Sequence, residues 1–324
     1  MLRTQIEDEN EFMVIRTKEH IEKVWSAVKS NFDKYWFSMI ERNSGADKLK
    51  ELEEKFRVIR KQVKDIDVIR PLFIEKLRDY DNEASIYRKF FNKDYLEEFQ
   101  DHDPNGFKRA LKSDCPIIRD AVNSRREALQ EWQYKFNKLT TGQEFLDIFR
   151  NLLDFAEDYV TIHKEQSFGK LDDLESYGLD QLDDEPEYRI EGVIGSGIKS
   201  CVLYYLYPRC FPRLNRGSMY GLYFLSGKDH FGLGSRTSEF LMIYDRTIIT
   251  DKNIKMDHNY WYPYGLLTLY AMRLYRLIDD KAKSMILALE SDFRFVYVIC
   301  LFDEIWQKHE ELINTMMCVG EMDF

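Results

Sequence analysis

The chain has no Cys-x-x-C pair, and its five cysteines (Cys115, Cys201, Cys210, Cys300 and Cys318) are an odd number. Both facts argue against a zinc ribbon or a disulfide framework, and they fit reduced thiols in a cytoplasmic protein. Breakers are scarce too, with 15 Gly and 7 Pro in 324 residues. Few breaks among many Leu, Lys and Glu predict a mainly α fold. Long apolar runs are missing. The richest, Trp261–Ile278, is interrupted by Arg273 and Arg276, and Phe295–Phe302 is too short to cross a bilayer. No membrane partner is expected. No signal peptide is read at the start, where Glu7, Asp8, Glu9 and Glu11 precede any apolar run.

One absence is local. Between Gly192 and Lys228 there is no Asp or Glu, while Lys199, Arg209, Arg213, Arg216 and Lys228 all fall there. Immediately before it lies an acidic run that includes Asp172, Asp173, Asp180, Asp183, Asp184, Glu187 and Glu191. The whole chain carries a net charge of −10, the wrong sign for a protein that coats nucleic acid indiscriminately. A basic segment on an acidic protein favours local contact with phosphate.

What is present reads as amphipathic helix. Thr17 is placed to cap a helix to about Ile40, with Ile21, Val24, Trp25, Val28, Phe32, Tyr35, Trp36 and Met39 on one stripe. Leu49, Leu52, Phe56, Ile59, Val63 and Ile66 follow three-four spacing and predict a seam, inside the monomer or across a dimer. Pro71 is expected to close that segment or to start the next helix. Further helices are expected over 72–99, 116–139, 142–163, 265–278 and 282–317, the last with a break near Asp292. Short strands or one buried turn are expected over 239–250. The domain reading is a helical bundle over 1–170, an acidic linker over 171–191, and a compact helical domain over 192–324.

The segment Val193-Ile194-Gly195-Ser196-Gly197-Ile198-Lys199-Ser200-Cys201 carries the strongest functional signal. Two glycines one residue apart suit a tight turn, since Gly has no Cβ penalty at φ > 0. A following apolar helix would begin with free N–H groups, an anion seat. These residues resemble the hairpin of helix-hairpin-helix DNA-binding proteins, including base-excision DNA glycosylases, over about 25 residues. Val193, Gly195, Gly197, Lys199, Ser200 and Cys201 match the family positions, while Ile194 and Ser196 depart from its Pro and apolar anchor. The resemblance implies a DNA-backbone partner. In lyase relatives the matching lysine is the amine nucleophile and a carboxylate follows after a Pro. Here the equivalent stretch, Phe211 to Arg216, offers neutral Asn215, which cannot accept a proton as a carboxylate does.

Other motifs are weaker. Gly192 to Ser200 would be a phosphate loop if Ile198 were absent. Asp101-His-Asp103-Pro-Asn105-Gly106 opens like a calcium loop, but Lys112 stands where the bidentate Glu belongs, so a turn between helices is expected. Glu239 and Asp245 could serve a metal nuclease, yet no Glu-x-Lys follows an Asp at nuclease spacing. The aromatic run His258 to Tyr264 is expected to pack.

The leading expectation is therefore a non-enzymatic accessory protein that contacts nucleic-acid backbone, in the style of bacterial genome maintenance or phage defence. Its contact residues would be Gly195, Ser196, Gly197, Lys199, Ser200, Arg209, Arg213, Asn215 and Arg216. No catalytic residue, metal or cofactor is expected. The N-terminal helices would dock a protein partner or a second copy. The alternatives are an enzyme on DNA, either a lyase using Lys199 or a nuclease using Glu239 and Asp245, and a pure protein–protein interaction subunit.

Overall fold

The computed structural model describes residues 9–44, 64–100, 103–126, 129–233, 238–240, 243–244, 255–256 and 262–321. Those residues are mainly α-helical. In chain order the helices are α1 (Glu9–Ile15), α2 (Lys18–Asn43), α3 (Asp65–Phe90), α4 (Lys93–Gln100), α5 (Pro104–Asp114), α6 (Pro116–Asn123), α7 (Gln130–Tyr134) and α8 (Gly142–Ile162). Short α9 (Glu165–Phe168), α10 (Leu174–Tyr177) and α11 (Gln181–Asp184) cross the acidic stretch. Then come α12 (Ser196–Leu206), α13 (Arg216–Leu225), α14 (Tyr264–Ser284), α15 (Arg294–Lys308) and α16 (Glu310–Glu321). Two-residue strands β1 (Ile243–Tyr244) and β2 (Lys255–Met256) pair antiparallel.

Helix starts follow local chemistry. Thr17 caps α2, accepting from the His20 amide at 3.3 Å. Thr141 and Glu144 form a reciprocal capping box at the start of α8. Asp103 caps α5, accepting from the Gly106 amide at 2.8 Å, so the calcium-like motif is a helix start. Pro71 lies inside α3 and neither ends nor starts it. The proline removes one hydrogen bond, to the carbonyl of exposed Asp67, which water can satisfy, while Ile69 and Phe73 on the same helix are buried. The 116–139 segment is not one helix. It breaks into α6, α7 and a π-helical turn over Lys135–Leu139. Likewise α14 extends through Ala282 to Ser284, and the last helical stretch divides at Ser291–Phe293 and at His309. Of the seam residues, Ile66 is half-buried on α3 and Leu49 to Val63 lie outside the described residues.

The α2 stripe packs inward. Ile21, Val24, Val28, Phe32, Tyr35, Trp36 and Met39 are buried, and α13, α15 and α3 pack on α2. Helices from both sides of the acidic stretch thus share one hydrophobic core, with α12 and α15 on α3, and α15 also on α13 and α14. Gly221 lets α13 and α15 close: a Cβ there would lie 2.2 Å from Phe302 Cδ1. Among the described residues no helix is long and apolar enough to cross a membrane.

Candidate functional site

The left-handed turn sits three residues earlier than the glycine pair suggests. Gly192 has φ +71, and Ile190 and Ile194 exchange backbone hydrogen bonds around it. Gly195 has an extended φ of −112 and is the N-cap of α12, while Gly197 is already inside that helix. Ahead of the turn stand only α11 and one 3-10 turn, Pro186–Tyr188. Trp132 pins the turn from α7, its indole N–H donating to the Val193 carbonyl at 2.8 Å.

The expected contact residues divide into two sets. Ser196, Lys199 and Ser200 are buried. The Lys199 ammonium donates to the Leu182 carbonyl in α11. Ser196 Oγ donates to Asp183 Oδ1 at 3.0 Å, and the Tyr264 amide at the start of α14 donates to Asp183 Oδ2 at 2.8 Å. Burial pushes the Asp183 carboxyl up to about 6, against the Tyr264 amide and Lys199, which pull it down. Burial likewise lowers Lys199, with Asp183 opposing it. This polar knot ties α11, α12 and α14 together. Arg213 turns onto Tyr205, with its guanidinium 5.5 Å from the ring centre and Nη1 3.1 Å from the hydroxyl. Asn215 is the N-cap of α13, accepting from the Ser218 amide at 2.8 Å. Asn215 thus serves as a helix cap, a role that accounts for an amide at this position.

The second set reaches the surface. Gly195 and Gly197 are exposed, and Arg209 and Arg216 are half-exposed, with Arg209 donating to the Val160 carbonyl at 3.3 Å. Ser200 Oγ accepts from the Leu214 amide at 3.0 Å, which draws the start of α13 against the first turn of α12. A Cβ on Gly197 would sit 3.9 Å from the Leu214 carbonyl oxygen. Two helix N-termini therefore begin side by side, and α12 has no side-chain cap of its own. Asp183 occupies the inner side of that junction, and the glycines face outward.

Two further groupings were not legible in the sequence. Buried Glu239 is held by His20 Nε2 on one oxygen and by the Tyr262 hydroxyl, at 2.8 Å, on the other. That commits the carboxylate that the nuclease alternative would use, while Asp245 lies outside the described residues. The other grouping is basic. Lys34, Lys228 and Lys308 converge on the rings of Tyr35 and Phe224. A cavity of about 370 Å³ between α8 and the Pro186–Tyr188 turn is lined by Asp154, Asp158 and Glu187, which suits a cation and repels phosphate.

No family model matches this chain, and no curated protein or solved structure is detectably similar to it.

Proposed function

We propose that this chain is a non-enzymatic protein that contacts the phosphate backbone of nucleic acid. One observation carries the reading: the acid-free segment folds back so that the starts of α12 and α13 lie together, with outward glycines and Arg216 as the first residue of α13. Each helix start presents unsatisfied N–H groups and a partial positive charge, which together favour an anion. Exposed glycines allow a phosphate to approach the backbone closely. In this reading Lys199, Ser200, Ser196 and Asn215 build the seat and do not touch the ligand. Contact falls to the α12 amides, Arg209 and Arg216.

The test is anisotropy of a labelled duplex at low salt. Arg209→Ala with Arg216→Ala is expected to weaken binding equally on unrelated sequences, since phosphate contacts carry no base information. The log–log salt slope should flatten by about 0.9 for each phosphate that is no longer neutralised. Absence of wild-type binding at low salt, or wild-type affinity in the double variant, overturns the reading.

A further inference from the structure

We infer that a second phosphate-contact surface lies at the opposite end of α13, where Lys34, Lys228 and Lys308 converge, and that it takes nucleic-acid backbone. The inference rests on the proposed nucleic-acid contact. The three lysines come from three elements: Lys34 from α2, Lys228 from the turn after α13, and Lys308 from the last position of α15. All three are exposed. Lys34 Nζ and Lys308 Nζ each lie 5.4 Å from the centre of the Tyr35 ring, and Lys228 Nζ lies 5.2 Å from that of Phe224. His309 bridges the two rings. It stacks on Phe224 at 3.8 Å and meets the Tyr35 hydroxyl at 3.0 Å through Nε2.

Among the described residues several cations pair with a carboxylate from another part of the fold. Arg42 is paired with Glu304, Lys76 with Asp303, Lys93 with Asp154, and Lys281 with Asp33. None of the three converging lysines forms an ion pair with a described residue, and Lys308 donates instead to Ser38 Oγ at 2.8 Å. Asp33 and Glu304 are already paired with Lys281 and Arg42, and exposed Asp229, Glu310 and Glu311 adjoin the lysines in sequence. Glu41 does act on Lys308, at longer range.

The turn that presents Lys228 is a costly one. Gly227 has φ +78 and Lys228 itself has φ +63, in the left-handed region. Two of the lysines lie at helix C-termini, where the carbonyl ends offset part of one charge. Lys34 lies inside α2 and has no such offset. The local charge leaves its mark on His309, whose imidazole is held at about 4, first by burial and then by Lys228, Lys308 and Lys34. Like charges gathered with no ion-pair partner among the described residues raise the energy of the free protein, and a polyanion relieves it.

The chemistry favours phosphate read without regard to base. Ammonium groups are strongly hydrated point charges on flexible stems, suited to single phosphate oxygens. Tyr35 and Phe224 are buried beneath them and have no open face for a base to stack on. The two surfaces are joined by α13, whose ten residues set them roughly 15 Å apart, or about four base steps along one strand.

The experiment compares the full chain with a Lys34→Gln, Lys228→Gln, Lys308→Gln variant and a Lys→Arg variant at the same positions. A labelled duplex is titrated across salt, and the His309 ring resonance is followed across pH. The Gln variant is expected to melt as wild type and to lose up to about 2.7 from the salt slope, at about 0.9 per lysine, while the Arg variant keeps it. Duplex is expected to raise the His309 pKa in wild type and leave it unmoved in the Gln variant. An unchanged slope in a Gln variant that still binds overturns this surface and leaves the hairpin reading standing. Loss of binding in the hairpin double variant alone, with His309 still and the patch variant normal, does the same. Absence of wild-type binding overturns both. A polyglutamate peptide that moves His309 while duplex does not overturns nucleic acid as the partner.

Discussion

Lys199 shows how one side chain changes meaning between sequence and structure. In the sequence it stands at the amine position of a lyase hairpin. In the fold its ammonium is inside, donating to the Leu182 carbonyl, with Asp183 beside it. Removing it leaves a buried carbonyl without its donor and a buried carboxylate without the positive charge beside it. Lys199→Met is therefore expected to cost about 2–4 kcal/mol in denaturant unfolding while the folded fraction keeps its affinity for duplex. An exposed phosphate ligand would behave in the opposite way, losing affinity at constant stability. The buried amine is also shielded from an aldehyde. Borohydride treatment with abasic DNA is expected to trap no adduct, and an adduct that disappears in Lys199→Met would establish lyase chemistry.

At the scale of elements, the α13–α15 contact positions both proposed surfaces. Its closeness depends on Gly221 against Phe302, a ring that is 1% exposed and has little room to move. Gly221→Ala is expected to destabilise the protein by about 1–3 kcal/mol through overpacking, measured by denaturant midpoint. Gly195 is the control. Its φ is ordinary and a Cβ there meets nothing within 4 Å, so Gly195→Ala should cost no more than the loss of a Gly N-cap, about 1 kcal/mol or less. The spacing of the glycine pair suggested the reverse, that Gly195 and Gly197 supply the sharp turn. That role falls to Gly192, three residues earlier.

For the whole molecule, the acidic stretch does not mark a break in packing. Arg273 of α14 donates to Asp172 at 2.9 Å and to Glu22 of α2 at 2.7 Å, and Arg276 donates to Asp172 at 2.7 Å. The run thus supplies counter-charges on either side, Asp172 to α14 and Asp180 to Arg16 between α1 and α2. The α2 stripe, a candidate for docking a partner, faces α13 and α15. Residues 1–170 expressed alone are expected to lack a folded core, seen as collapsed amide dispersion in NMR. A well-dispersed spectrum would show that the first segment folds independently.

The sequence by itself determined the mainly helical character and several helix starts. Periodic apolar positions, Thr17, Thr141 and Asp103 at helix starts, and scarce breakers act within a few residues, so their outcome is readable locally. The acid-free segment was likewise legible as composition. Tertiary structure alone decided which charges face water. Lys199 turns inward because Leu182 and Asp183 wait for it, and Ser200 meets Leu214 only once α12 and α13 pack. The lysines at 34, 228 and 308 and the His20–Glu239 pair, 219 residues apart, have no local signal at all. Their proximity follows from how the helices bury a shared core, a non-directional force that fixes neighbours without regard to separation along the chain.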